Sequence, residues 1–291
     1  MRIGKRANLI LSAGMMLLSV IGMIPVFLVI MVSFSSEGSI ARDGYRFLPA
    51  VFSTEAYRYL FENLGGILRS FGVTLFVTVT GSLLSLFLIA TMGFAISRKE
   101  FKLGKIYAVL IILPMFFSGG LAASYAVNTQ LLGLKNTIFA LILPSACSSW
   151  YILIMRTYFR ESIPEEVLEA AQIDGASFFA IFGRFVIPMS KPILVTIGLF
   201  EAFAYWNTWY DALLYIDSGH SSLYPLQYLL YIMQSKAEFA SSSQNVTGVI
   251  EKIPTESFRM ALVVLIIAPI LVTYPFFHKF FVKGLTSGIG K

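Results

Sequence analysis

Apolar residues run along this chain in six long stretches, at about 9–33, 70–96, 105–127, 136–157, 193–216 and 258–281. A helix that crosses a bilayer needs roughly 20 mostly apolar residues. The pattern therefore predicts an all-α integral membrane protein with six transmembrane helices, arranged as one transmembrane domain over 1–291. The first stretch follows the basic start Met1-Arg2-Ile3-Gly4-Lys5-Arg6 and contains Pro25. It outruns the apolar core of a cleaved signal peptide, about 7–15 residues, and is expected to stay as an anchor.

The polar segments between these stretches are unequal. Residues 34–69 form a long loop with a short helix expected at 54–63. Residues 217–257 form another. That loop opens with the half-apolar run Leu223 to Met233, too short and interrupted to span, which suits an interfacial helix. It continues from Ser235 to Asn245 as an expected flexible surface loop. The triplet Asn245-Val-Thr247 matches a glycosylation acceptor pattern by chance. Prolines 25, 114, 144, 269 and 275 fall inside spans, where they serve either bundle packing or a gating hinge. Gly72, Gly81, Ser82, Ser85 and Gly93 would let helices approach closely.

Composition agrees with the pattern. The chain is 57% hydrophobic and 13% charged, against about 25% charged in soluble domains, and its mean hydropathy is +0.76. The net charge of +6 is scattered over loops, with no stripe for nucleic acid. The single cysteine, Cys147, reads as a packed small residue, and His220 and His278 have no metal-ligand spacing. With the N-terminus inside, the cytoplasmic segments collect Arg98, Lys99, Lys102, Lys105, Arg156, Arg160, Arg184 and Lys191, as the positive-inside rule requires. Six spans return the C-terminus to the cytoplasm.

That orientation puts residues 158–192 in the cytoplasm, and this loop is the most informative segment. It contains Glu169-Ala-Ala-Gln-Ile-Asp-Gly-Ala176 and, after nine residues that follow Gly175, the ending Phe185-Val-Ile-Pro188. Ser162 is expected to cap a short helix, with Pro164 in its first turn and Glu165, Glu166 and Glu169 toward its positive end. Val167, Leu168, Ala170 and Ala171 give it a narrow apolar face. Gly175 supplies a left-handed turn. Phe178, Phe179, Ile181, Phe182 and Phe185 begin a second helix, and Pro188 and Pro192 mark the return to the membrane. Small alanines allow close approach to a partner groove, and Glu169 offers a charge-assisted contact to a basic partner.

This segment resembles the cytoplasmic coupling loop of permease subunits in binding-protein-dependent ABC importers. The likeness covers roughly residues 10–291 and is nearest to the smaller carbohydrate-uptake subunits, of the maltose and lipoprotein-dependent oligosaccharide types. Tyr205-Trp-Asn-Thr-Trp-Tyr-Asp211, Leu223-Tyr-Pro-Leu-Gln227 and the terminal Phe280 to Gly290 also carry it. Phe185 stands where the family usually has isoleucine, and Ile187 where it often has leucine; both remain apolar, so the packing role is expected to survive. The resemblance implies a type I ABC importer permease bundle with a cytoplasmic coupling helix, whose coupling residues here are Glu169, Ala170, Ala171, Asp174, Gly175 and Pro188. It implies as partners a second homologous permease, two ATP-binding subunits and an extracellular solute-binding protein or lipoprotein. It implies no cofactor on this chain, with ATP and Mg on the partner ATPase. The setting would be a bacterial plasma membrane, with sugar or oligosaccharide as cargo.

The fifth span is the most polar. At 100° per residue, Glu201, Tyr205, Asn207, Thr208 and Asp211 fall within about 160° of one helix face. Intramembrane acids usually face a bundle interior or a water-filled pathway, and rings beside acceptors suit sugars. A belt of Trp and Tyr at the membrane boundary is the alternative. A stand-alone secondary transporter, coupling protons through Glu201 or Asp211, is the competing function, and the coupling loop speaks against it. No metal cluster, nucleophile elbow or G-x-x-x-x-G-K-S/T phosphate loop is present. The chain is therefore expected to be a transport subunit, with ATP hydrolysed elsewhere.

Overall fold

In a bilayer core every backbone group must find its partner within the protein, so long apolar runs fold as helices. A computed structural model of the chain describes residues 5–62, 64–242 and 255–287. It contains helices α1 (Lys5–Ser33), α2 (Glu37–Asp43), α3 (Glu55–Glu62), α4 (Leu64–Ser97), α5 (Gly104–Phe116), α6 (Gly120–Ala126) and α7 (Ser149–Glu161). They are followed by α8 (Glu165–Ile173), α9 (Phe178–Ile181), α10 (Ile187–Met189), α11 (Lys191–Trp206), α12 (Tyr210–Tyr215), α13 (Leu226–Ser242) and α14 (Thr255–Ser287). Among the described residues, strand-like pairing is confined to one antiparallel bridge, Ser35 with Phe52.

Among the described residues, two helical segments are long and apolar enough to cross a membrane unaided, Leu11–Ser33 within α1 and Leu64–Ser97. Counting each bent pair as one crossing gives up to four. The stretch at 258–281 lies within the unbroken helix α14, while the other three expected stretches are broken, each for a local reason. The stretch at 105–127 stops at Phe116 and resumes at Gly120, whose φ is +77°; Pro114 and the Gly119-Gly120 pair are the poorest helix formers in it. The stretch at 136–157 is not one α-helix. It begins as 3-10 turns at Ile138–Leu141 and Leu143–Ser145, the latter containing Pro144, and meets α7 at 49°. The stretch at 193–216 unwinds at residues 207–209. There the Asn207 side-chain amide donates to the Phe203 carbonyl at 2.8 Å and competes with the helix ladder.

Two further expectations change. Residues 235–242 continue α13 instead of forming a loop, since Lys236, Ala237, Glu238 and Ala240 are good helix formers. Ser243 and the triplet at Asn245 lie outside the described residues, as do residues 1–4 and 288–291. Cys147 is exposed rather than packed; it occupies the break before α7, with its thiol 3.6 Å from the Met92 sulfur.

The chain divides into two compact units, Met1–Leu68 with Leu230–Leu271, and Arg69–Leu229 with Val272–Lys291. In the first, the 34–62 segment is tied to the start of α14. Glu37 accepts the backbone N–H groups of Glu256 at 3.0 Å and Ser257 at 3.1 Å, and the Ser257 hydroxyl at 3.0 Å. A carboxylate thus satisfies two donors that a helix N-terminus leaves free, at the positive end of its dipole. Glu256 accepts from Tyr45 and from Arg259, each at 2.6 Å. Burial, with the Glu256 carboxylate alongside, pushes the Tyr45 phenol above its ordinary range. Phe34 stacks on Phe52 and Tyr57 nearby.

The second unit is organised on α4. Its continuous buried cluster includes Ile89 and Phe94 of α4, Ile152, Met155 and Phe159 of α7, Leu168 and Ala171 of α8, Ile181, Val186 and Ile197. At Gly93 any Cβ would lie 3.0 Å from that of Met155 and 3.2 Å from the Arg156 nitrogen. The missing side chain is what lets α4 and α7 cross so closely.

Candidate functional site

The loop singled out at 158–192 folds as a short helix, a glycine turn and a second, irregular helix. Its start differs from expectation. Ser162 ends α7, its N–H donating to the Tyr158 carbonyl at 2.8 Å, and Pro164 occupies the N-cap position of α8. A residue before proline avoids the helical region, so Ile163 cannot continue the helix and the cap moves past it. Ile163 and Leu168 are both buried in the same cluster, the pairing of a hydrophobic staple across a helix start.

The end of α8 follows the sequence closely. Gly175 has φ +80°. The Gly175 N–H donates to the Gln172 carbonyl and the Ala176 N–H to the Ala171 carbonyl, each at 2.9 Å. This pair of bonds is a Schellman turn, whose left-handed position favours glycine. Ser177 then caps α9 through the Ala180 N–H at 3.3 Å. Between Phe182 and Val186 the helix widens by one residue, the Ile187 N–H reaching back to the Phe182 carbonyl. Pro188, which has no N–H, lies just beyond. At Ser190 the chain turns by 83° into α11.

Burial separates the candidate coupling residues. Ala171 and Leu168 point into the core, while Glu169, Ala170, Asp174, Gly175 and Pro188 are exposed. Val186 is the buried residue of the Phe185-Val-Ile-Pro188 ending and Phe185 is exposed, so the packing role expected of Phe185 belongs to its neighbour. Sequence reasoning gives no contact role to two residues here, Ile173 and Phe179, each 86% exposed. Their signal was available: large apolar side chains on either side of Gly175 that the narrow face of α8 does not need.

The hairpin is anchored from α4. Phe94 packs its ring against Phe159, Phe178 and Phe182 at centroid distances of 5.9, 4.9 and 5.1 Å. Arg98 lies 5.2 Å over the Phe94 ring and donates to the Phe159 carbonyl at 3.2 Å. Burial holds this guanidinium below its usual range, against the nearby carboxylates of Glu100 and Glu165. Lys99 binds Glu165 at 2.9 Å. That hydrogen bond holds the Glu165 carboxyl below its ordinary range.

The polar face expected on the fifth span is divided by the break at 207–209. Glu201 and Tyr205, on α11, are buried. The Tyr205 hydroxyl donates to the Ile142 carbonyl at 2.8 Å and lies 3.1 Å from the Ser85 hydroxyl. Its ring fills the notch at Gly81, where an added Cβ would come within 2.7 Å. Beyond α11, exposed Asn207 accepts from the Gln227 amide at 3.0 Å, and Thr208 reaches Asp211 at 3.4 Å. The five residues are therefore not one helix face: two brace the interior and three cluster at the break. Gln227 joins them because Thr74 of α4 accepts the Leu226 N–H at 2.9 Å and fixes the start of α13.

No protein-family model matches the chain. Individual relatives do. The chain is 35% identical over 269 residues to Protein LplC of Bacillus subtilis (strain 168), covering 92% of this chain and 89% of that protein. It is 32% identical over 281 residues to the polygalacturonan/rhamnogalacturonan transport system permease protein YtcP of the same organism, covering 97% and 96%. Among solved structures it resembles a chain of a bacterial ABC transporter involved in the import of the acidic polysaccharide alginate. The TM-score is 0.78 at 26% identity, over 96% of this chain and 99% of that one.

Proposed function

Because the chain belongs to the family of ABC importer permease proteins, we propose that it forms half of the path by which a sugar or oligosaccharide enters a bacterial cell. It is a multi-pass membrane protein and a transport subunit. The cargo class follows from its relatives, which are named for polygalacturonan, rhamnogalacturonan and arabinooligosaccharide transport and, in the solved structure, alginate import. The other half would be a second homologous permease. Two ATP-binding subunits would carry ATP and Mg, and an extracellular solute-binding protein would deliver the cargo. The apolar window of α1 is only 6% buried within the chain, which leaves its surface for lipid and the second permease.

One observation carries the coupling role. Leu168 and Ala171 fix α8 to the core, while Glu169, Ala170, Ile173, Gly175 and Phe179 stand exposed around a single turn. An exposed apolar patch rimmed by polar groups marks a protein contact. Residues 158–192 thus have the form of a cytoplasmic coupling element, able to pass ATPase closure to α7 and α11. Along the solute path, Asn207, Thr208 and Asp211 offer polar groups, and Glu201 and Tyr205 shape the wall behind them.

The test is uptake in vesicles holding the assembled importer. Transport should require the ATPase subunits and ATP, and Asn207→Ala should weaken uptake without changing the unstimulated ATPase rate. Solute uptake by this chain alone, without ATP, would point instead to a secondary transporter. The topology, with six crossings and both termini cytoplasmic, is tested separately. In a Cys147→Ser background, a cysteine replacing Ser242 should react with an impermeant reagent on intact cells, and one replacing Ser177 should not. The opposite labelling would invert the arrangement.

A further inference from the structure

Between the end of α4, the start of α5 and the end of α7 lies a cavity of about 360 Å³. Six cations line it, Arg98, Lys99, Lys102, Lys105, Arg156 and Arg160, and among the described residues no carboxylate does. Three of them are already engaged: Arg98 on Phe159, Lys99 on Glu165, and Arg156 on the Ile96 carbonyl at 3.3 Å. Lys102, Lys105 and Arg160 are exposed and make no ion pair or hydrogen bond with the described residues. The N-terminus of α5 opens beside them with no side-chain cap, so its dipole adds to the same field.

We propose that this cavity binds the phosphate of an anionic phospholipid headgroup. It rests on the topology proposed above, which puts the cavity on the cytoplasmic side. Basic pockets between membrane helices on that side are suited to such headgroups. The choice of lipid over a soluble anion or an acidic protein rests on what adjoins the cations. From Lys105 an exposed apolar track, Ile106, Val109, Leu110 and Leu113, runs along α5. The helix rises about 20 Å over its length, enough to accompany an acyl chain through one leaflet of about 15 Å. A free phosphate has no use for that track, and neither has an acidic protein surface.

The experiment is native mass spectrometry of the assembled importer taken from vesicles containing phosphatidylglycerol. The wild type should retain the lipid, and Lys102→Gln/Lys105→Gln/Arg160→Gln should retain at least about tenfold less, from the loss of three surface cations. Inorganic phosphate at millimolar concentration should not displace it. Equal retention by the variant would overturn the proposal. Displacement by inorganic phosphate would mean a soluble-anion site. Loss of the ATPase subunits from the variant, with lipid retained, would mean that the cations dock an acidic protein surface. Lipid retention is read without transport, so ATP-independent uptake would remove the functional reading and leave this one standing.

Discussion

Replacing Gly175 by valine is expected to abolish ATP-driven uptake while the chain still inserts and assembles. At φ +80° a β-branched residue is strained by about 1–3 kcal/mol. The relief available is to unwind the Schellman turn, and with it the fixed relation of Glu169 and Ile173 to Phe179. Glu169→Lys reaches the same end by a different route. Its exposed carboxylate is free to meet a basic partner, and a hydrogen bond to a charged group contributes about 1.5–3 kcal/mol, so reversal should lower stimulated transport roughly tenfold or more. The measurements are uptake and ATPase rate in the same vesicles. ATP hydrolysis that persists without uptake would locate the defect in transmission. Normal coupled transport by both variants would remove the loop from that role.

The second large effect is expected at Gly81. An added Cβ there meets the Tyr205 ring at 2.7 Å, and the ring has little room to yield. It is 2% exposed, and its hydroxyl is held by Ile142 and Ser85. Gly81→Val should therefore destabilise the second unit by about 1–3 kcal/mol, the range for overpacked interiors. The readout is the temperature at which the detergent-solubilised importer loses its monodisperse peak. Tyr205→Leu in the same chain should recover most of the Gly81→Val loss. If the two changes simply add, the ring is not what occupies the notch. Tyr205→Phe keeps the ring but strands the Ile142 carbonyl, and should cost about 1–3 kcal/mol by itself.

The hairpin at 158–192 is legible in the sequence because its determinants are local. A proline, a run of helix formers and a glycine specify α8 and its turn within a dozen residues, and the resulting bonds, Gly175 to Gln172 and Ala176 to Ala171, connect near neighbours. Even there, the cap was misplaced by two residues. The restriction that Pro164 imposes on Ile163 outweighed the capping propensity of Ser162, and burial of Ile163 beside Leu168 rewarded that choice.

The fifth span shows the limit of pattern reading. Helical periodicity assigns Glu201, Tyr205, Asn207, Thr208 and Asp211 to one face only if the helix is unbroken, and Asn207 breaks it by bonding to Phe203. Whether a polar side chain on an apolar helix serves a pathway or the interior depends on what arrives opposite it. For Tyr205 those groups are Gly81, Ser85 and Ile142, distant in sequence and invisible to any local rule. The cation-lined cavity is of the same kind, since it brings Lys102 and Lys105 together with Arg156 and Arg160, more than fifty residues along the chain.

The sequence by itself determined the membrane class, the apolar stretches, the glycine turn after α8 and the likeness to importer permeases. Each rests on hydropathy or on contacts within a few residues, where composition is decisive. Only the tertiary structure decided which stretches break, which polar groups are braced, and which apolar residues of the hairpin, Ile173 and Phe179, are left uncovered. Those outcomes are set by close approach between segments far apart in the chain, where one missing Cβ or one occupied carbonyl outweighs the local preference.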